Sequence, residues 1–476
     1  MQLSKPFLRK SATILMALML LFSAGLPAQV HRSEVGLGEA LILPYWTTAN
    51  GQNSLIKIGN SSERAVAVKL LWLNEHGEVS RSYNLYLDGE GMWSAGTADS
   101  YDVSFIGTWT EPVIIHPRHF NACLLPLELN ADPDAGVTIF ESGADHGSLE
   151  IIEMASVDVE SPLAPEGKWI DCAALAERWN NGAWSMNPGA DLLPPAGKLS
   201  ASSNLISVSE GGMNTIEATA LVGFSDVVQH TRPEVPTPDL SHAVDSEASG
   251  GGVRSAVCGG GHCWVDEWSL PVEAVAAALM TSAVVTDYSA NPGLGADFDW
   301  LLHRPLDRYQ ALVDGFSVSS SPQARFYTRS GDRYVFCPPQ VGCVPGSPPS
   351  VDETPFGTYV FPLELDASLH VLSMSREIYG GEAVSPILGH PIEPDATPFP
   401  VGSELGGDAF AEGLVRLSFD DQAAPLTAPA GRVYSGEPVI AVGFQQFTNG
   451  ALPGGVLANY RGTEAPRYEL TILEPE

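Results

Sequence analysis

The sequence predicts a mainly β protein: an antiparallel β-sandwich, immunoglobulin-like or jelly-roll-like, with two short helices and long loops. Three observations carry this. Apolar residues recur at period two in many short runs, each bounded by Gly, Asn, Asp or Pro. Charged residues make up only 17% of the chain, too few for coiled coils or long exposed helices. Hydrophobic residues make up 44%, enough to bury a core and too many for wholesale disorder.

The elements follow in order. Ile56 and Ile58 flank Lys57, and Gly59 to Ser62 supply a break. Val66, Val68, Leu70 and Trp72 line one face of a longer strand, Asn74 to Gly77 supply a turn, and Tyr83, Leu85 and Leu87 continue a meander. Val137 to Phe140 and Leu149 to Ile152 read as a hairpin around Gly143 to Gly147. Asp171 is placed to cap a helix on which Cys172, Leu175, Ala176 and Trp179 share a face, with Gly182 at its end. A second helix starts near Ser269 with Pro271 in its first turn; Val272, Val275, Ala276, Leu279 and Met280 form its apolar stripe. Strands return at Val415 to Phe419, at 438–442 and 456–458 around a Thr448 to Gly450 turn, and at Tyr468 to Ile472. Long loops are expected at 226–263, 337–355 and 385–413, where Pro and Gly concentrate.

Lys5, Arg9 and Lys10 precede an apolar run from Ser11 to Ala24, and Ala28 offers a small residue for cleavage. This is the pattern of a secretory signal peptide over 1–28. The run is shorter than the roughly 20 residues of a spanning helix, so no membrane span is expected in the mature chain. The protein is therefore expected to be exported, periplasmic or extracellular. Its 57 acidic residues against 24 basic ones give a net charge of -33, which repels nucleic-acid phosphate. No nucleic-acid partner is expected. Attraction of cations such as calcium stays open.

Six cysteines in an exported chain are expected to be oxidised. Sequence alone does not fix their pairing. Local closure favours Cys123 with Cys172, Cys258 with Cys263, and Cys337 with Cys343. The Cys258 to Cys263 segment could also hold a metal or a redox centre, but no second Cys/His cluster stands at ligand spacing.

The chain has no nucleophile elbow, no H-E-x-x-H and no P-loop. Its 11 histidines are scattered, and the pair His116 and His119 is separated by Pro117, which favours a loop over a metal site. Asn130, Asp132 and Asp134 place oxygen donors at alternate positions before Gly136, like the first half of a calcium loop, and Glu141 falls at the twelfth position. Gly136 comes one place late, and a strand rather than a helix follows. The same residues also suit an Asx-rich turn. Trp264, Trp268, Trp300 and Tyr309, with Asp297 and Asp299, suit either a sugar-stacking platform or ordinary core packing.

The segments 38–46 (GEALILPYW), 84–87 (NLYL), 149–154 (LEIIEM), 278–280 (ALM), 299–305 (DWLLHRP) and 456–460 (VLANY) resemble an uncharacterised family of secreted proteobacterial β-rich proteins. The resemblance implies one architectural unit over 34–476. It supplies no activity and no catalytic residue.

The expected organisation is a signal peptide at 1–28, a β-sandwich portion at 34–225, a loop, insertion or linker at 226–263, and a β-rich portion at 264–476 that can complete the same sandwich. The expected function is that of a non-catalytic exported binding or structural protein, with a glycan or a surface protein as ligand. The rival expectation is a secreted polysaccharide hydrolase using dispersed carboxylates.

Overall fold

The computed structural model describes residues 29–103, 107–109, 112–117, 122–126, 131–132, 137–208, 210–312, 322–330, 359–360, 367–374, 384–390, 411–419, 425–452 and 456–475. Its first strands are β1 (His31–Arg32), β2 (Ala40–Thr47), β3 (Gln52–Asn60), β4 (Ala65–Leu73), β5 (Val79–Leu87), β6 (Met92–Ala98), β7 (Tyr101–Val103) and β8 (Gly107–Trp109). Then come β9 (Val113–Pro117), β10 (Ala122–Leu125), β11 (Ala131–Asp132), β12 (Val137–Glu141), β13 (His146–Val157), β14 (Leu199–Ser207), β15 (Gly212–Glu217) and β16 (Thr219–Val222). The later half contributes β17 (Val253–Gly259), β18 (His262–Trp268), β19 (Met280–Thr281), β20 (Ala283–Ser289), β21 (Ala296–His303), β22 (Gln323–Thr328), β23 (Tyr359–Val360) and β24 (Leu369–Met374). It ends with β25 (Glu412–Ser418), β26 (Leu426–Thr427), β27 (Val433–Ser435), β28 (Glu437–Pro438), β29 (Ile440–Leu452), β30 (Val456–Glu464), β31 (Arg467–Glu469) and β32 (Thr471–Leu473).

The fold is mainly β, as expected, and antiparallel. Two sheets form a sandwich: β1-β16-β2-β13-β4-β5-β10 and β11-β12-β9-β6-β3-β14-β15. Their facing sides meet in one core, with Leu43, Trp46, Val68 and Trp72 from the first sheet against Ile56, Trp93 and Leu205 from the second. Trp46 and Trp72 pack edge-on with ring centroids 5.1 Å apart.

The two sheets read differently in sequence because they are covered differently. In the second sheet β3 and β14 alternate buried and half-buried positions, so only one face is covered. In the first sheet β2, β4 and β13 are buried at every position. Their near-continuous apolar runs are what a strand covered on both faces requires. The outer cover comes from the helices and from the 226–252 segment.

Helix α1 (Cys172–Asn180) starts where Asp171 accepts the N–H groups of Ala173 and Ala174. Cys172 is bonded to Cys123 of β10, which ties the helix to a sheet edge. A short α2 (Ala183–Met186), absent from the sequence expectation, stacks Trp184 on Tyr86, and Trp179 of α1 packs on Trp184. Helix α3 (Pro271–Leu279) begins at the expected proline, and Glu273 accepts the N–H of Leu270. Val272, Val275 and Leu279 bury against Ile42, Ile152 and Leu221 on the outer face. Met280 of the expected stripe lies beyond the helix in β19.

Two strand pairings differ from the expectation. β12 pairs with β9 and β13 pairs with β2 and β4, so the Gly143 to Gly147 connection crosses between sheets and closes no hairpin. Likewise β3 and β4 lie in opposite sheets, so the meander holds only from β4 to β5. Local alternation fixes which face a residue takes but not which sheet its strand joins. In the later half, 448–450 lie inside β29, with a register shift between Asn449 and Leu452, and the antiparallel pairing with β30 runs on to Leu452 opposite Val456.

The later half builds two further sheets, β23-β22-β25-β20-β31 and β24-β21-β29-β30, which share a core around Phe298, Trp300, Val415 and Leu417. Alternate residues of the second of these face the other way. Leu301, Val371, Val442 and Phe444, with Ile387 and Leu388, join the core of the first sandwich. Hydrophobic packing thus runs without a break between the two halves. The 226–252 stretch has little regular structure, yet Leu240 and Ala243 are buried within the outer cover. The expected 226–263 loop ends at β17, which pairs with β18 as a hairpin.

Candidate functional site

Three turns converge at one end of the first sandwich. The β4–β5 turn is shaped by Asn74, whose side-chain oxygen accepts the N–H groups of His76 and Glu78 at 3.1 and 2.9 Å. Gly77 takes the positive φ of 76° that this turn needs. Glu75 stands at the tip, and its carbonyl accepts the N–H of Ser368 at 2.8 Å. The connection into β13 brings Asp145 and His146, held by the N–H of Thr48 on the Asp145 carbonyl at 2.6 Å. The third turn, 385–390, ends at His390, whose N–H donates to Ser385 Oγ at 3.0 Å.

These turns gather one carboxylate and two imidazoles. One donor atom each from Glu75, His146 and His390 lie within 4.8 Å of one another. His146 Nε2 is 2.6 Å from Glu75 Oε2, and its Nδ1 is 2.7 Å from Asp145 Oδ1. The His146 and His390 rings meet edge-on at 4.6 Å, and the Tyr45 ring packs against both. On the solvent side, His76 Nε2 lies 3.3 Å from Glu75 Oε1.

The electrostatics follow from these contacts. Burial pulls down the pKa of His146, but hydrogen bonds to Asp145 and Glu75 outweigh it and raise the value to about 9. The hydrogen bond to His146 holds both Glu75 and Asp145 below the usual carboxylate range. Burial, and the charge on His146 beside it, push His390 down to about 3, so its ring is neutral.

A second feature is a cleft of about 890 Å3 between the start of the described chain, the β17–β18 hairpin, the end of α3 and the last strands. His31, Arg32, Val35, His262, Trp264 and Tyr468 are among its lining residues. Val35 is 78% exposed. The Arg32 guanidinium sits over the Tyr468 ring at 4.1 Å. Trp264 is half-buried, and its Nε1 donates to Glu474 Oε1 at 2.5 Å. The hairpin is closed near its tip by the bond between Cys258 and Cys263.

The residues singled out from sequence are scattered by the fold. Two of the expected disulfides are formed, Cys123 with Cys172 and Cys258 with Cys263. Cys337 and Cys343 lie outside the described residues. So do Asn130, Asp134 and the side chain of Asp132; the Asp132 backbone pairs with Val137. Glu141 lies near the Arg81 guanidinium, 3.8 Å away. His116 is buried and accepts Trp93 Nε1 at 2.8 Å, a core histidine. The aromatic set resolves into packing: Trp268, Trp300 and Tyr309 are buried in two different cores. Asp299 is fully buried and accepts the N–H groups of Ile387 and Leu388. Only Trp264 of that set faces the cleft.

Sequence spacing gave no sign of Glu75, His146 and His390, because their turns are far apart in the chain. The one local signal is the adjacent Asp145 and His146 pair inside a Gly-flanked turn. Family models, curated proteins and solved structures return no match to the chain.

Proposed function

We propose that this chain is an exported, non-catalytic binding protein of the cell envelope or extracellular space, and that the cleft beside Trp264 is its ligand-binding surface. The observation that carries the reading is a half-buried Trp presented on a hairpin that is covalently closed by Cys258 and Cys263 and braced by Glu474. A rigid aromatic surface gives up little conformational entropy on binding. The Trp264 ring, the Arg32 and Tyr468 pair and the exposed Val35 offer stacking, charge and apolar contact within one concavity, which suits a glycan or the surface of another protein.

Export is supported by the basic and apolar N-terminal pattern and by two disulfides. Among the described residues no helix is long and apolar enough to cross a membrane. The hydrolase alternative needs two facing carboxyl groups, one of them held protonated. Two carboxylates line the cleft, Glu34 and Glu469, and Arg416 donates to Glu469 through Nε at 3.1 Å and Nη2 at 2.7 Å. The carboxyl groups with strongly raised pKa values, Glu150, Glu153, Asp299 and Asp307, are buried elsewhere and do not line the cleft.

The test is a glycan and protein array screen of the purified mature chain, run beside an assay for reducing ends released from polysaccharides. Saturable binding without release supports the reading; turnover of any polysaccharide overturns it. N-terminal sequencing of the exported product should begin within a few residues of Gln29, and an intact Met1 in a membrane fraction would contradict export.

A further inference from the structure

We propose that Glu75, His146 and His390 form a binding site for one divalent ion of the zinc class, which staples the 385–390 turn to the end of the first sandwich. Two imidazoles and one carboxylate form a donor set that zinc and its neighbours favour, whereas calcium and magnesium seek oxygen alone. The donors lie within 4.8 Å of one another. Bonds of about 2.0–2.1 Å in tetrahedral geometry place donors roughly 3.3 Å apart. Glu75 and His146, now 2.6 Å apart, need to separate by roughly 0.7 Å as the Nε2 proton between them is released to solvent, and the partly exposed Glu75 side chain has room to move.

Two further observations point to an ion rather than to a plain ion pair. His146 already carries the outer contact common to metal-bound histidines: Asp145 takes Nδ1 at 2.7 Å and aims Nε2 into the cluster. His390 is 8% exposed, and its Nδ1 is buried without a hydrogen-bond partner. A buried ring nitrogen left unpaired is costly, and an ion coordinated through Nδ1 would satisfy it.

The scaffold around the donors is rigid. The His390 N–H and carbonyl are both held by Ser385, and the N–H groups of Ile387 and Leu388 are held by Asp299 at 2.8 and 2.9 Å. Gln52 of β3 donates to the Ile387 carbonyl at 2.5 Å. An ion here joins two turns from the first third of the chain to one from its last quarter, so binding is expected to stabilise the folded state as a whole.

The mature chain, stripped with a chelator, should be titrated with Zn2+ by calorimetry, and bound zinc counted after gel filtration. The expected result is one zinc per chain and a melting temperature raised by several degrees, with no comparable rise from Ca2+. His390→Ala and, separately, Glu75→Gln should each weaken zinc binding at least tenfold and abolish the zinc-dependent rise. If either variant fails to fold, X-ray absorption of the zinc-loaded wild type decides, with nitrogen and oxygen donors and two imidazoles expected. Failure of the wild type to retain zinc, or undiminished binding in a folded variant, would overturn the assignment. Neither outcome bears on ligand binding at the Trp264 cleft.

Discussion

Asp299 accepts the backbone N–H of Ile387 at 2.8 Å. The same carboxylate takes the N–H of Leu388 and the hydroxyl of Ser373, and it is fully buried. One side chain on β21 therefore fixes the turn that carries two core residues, Ile387 and Leu388, and His390. Burial raises its pKa to about 6, against the pull of these donors. Replacing Asp299 with Ala strands two buried N–H groups. We expect a loss of about 2–4 kcal/mol in a urea melt. Asp299→Asn, which keeps one acceptor oxygen, should lose less. Equal stability of wild type and Asp299→Ala would show that this anchor contributes nothing.

Lys69 gives a pH signature. It lies on β4, fully buried, with Nζ donating to the carbonyls of Arg232 and Val235 at 2.8 and 2.9 Å. Burial lowers its pKa to about 7 from 10.5. Between these values the unfolded chain holds a proton that the folded chain has released. Its contribution to stability therefore rises with pH across that window, by up to about 1.4 kcal/mol per unit. Lys69→Met removes the titration, so the wild type should gain on the variant from pH 7 to pH 9 in denaturant melts. A constant difference over that range would contradict the assignment.

The two disulfides should behave differently. Cys123 and Cys172 stand 49 residues apart, and Cys258 and Cys263 only 5. In the loop-closure model these correspond to about 4 and about 2 kcal/mol respectively. The double Ala variant at Cys123 and Cys172 should melt well below the wild type and loosen α1. The double Ala variant at Cys258 and Cys263 should melt closer to the wild type yet bind more weakly at the cleft, because the hairpin loses its closure.

The fold was legible where local pattern is decisive. The alternation at Ile56 and Ile58 in β3, the strand from Val66 to Trp72 in β4, the Asp171 cap and Pro271 at a helix start all correspond to what the structure contains. The sheet partner of a strand was not legible. β12 and β13 are neighbours in sequence and belong to opposite sheets, a choice made by packing across the sandwich. The 226–252 stretch read as a loop because Pro clusters at 233–238 and Gly at 250–252, while its burial depends on covering Lys69, Ile42 and other residues of a distant sheet face. Glu75, His146 and His390 meet only in three dimensions. Trp264 was visible among four aromatics, but nothing in the sequence distinguishes it from Trp268 and Trp300, which the fold buries.

The most direct measurement is calorimetric titration of a ligand found on the array into the mature wild type and into Trp264→Ala, with thermal melts confirming that both are folded. Loss of a central Trp contact is worth about 2 kcal/mol or more, so affinity should fall roughly 30-fold or further. Unchanged affinity in a folded Trp264→Ala protein would remove the cleft as the binding surface and contradict the functional account.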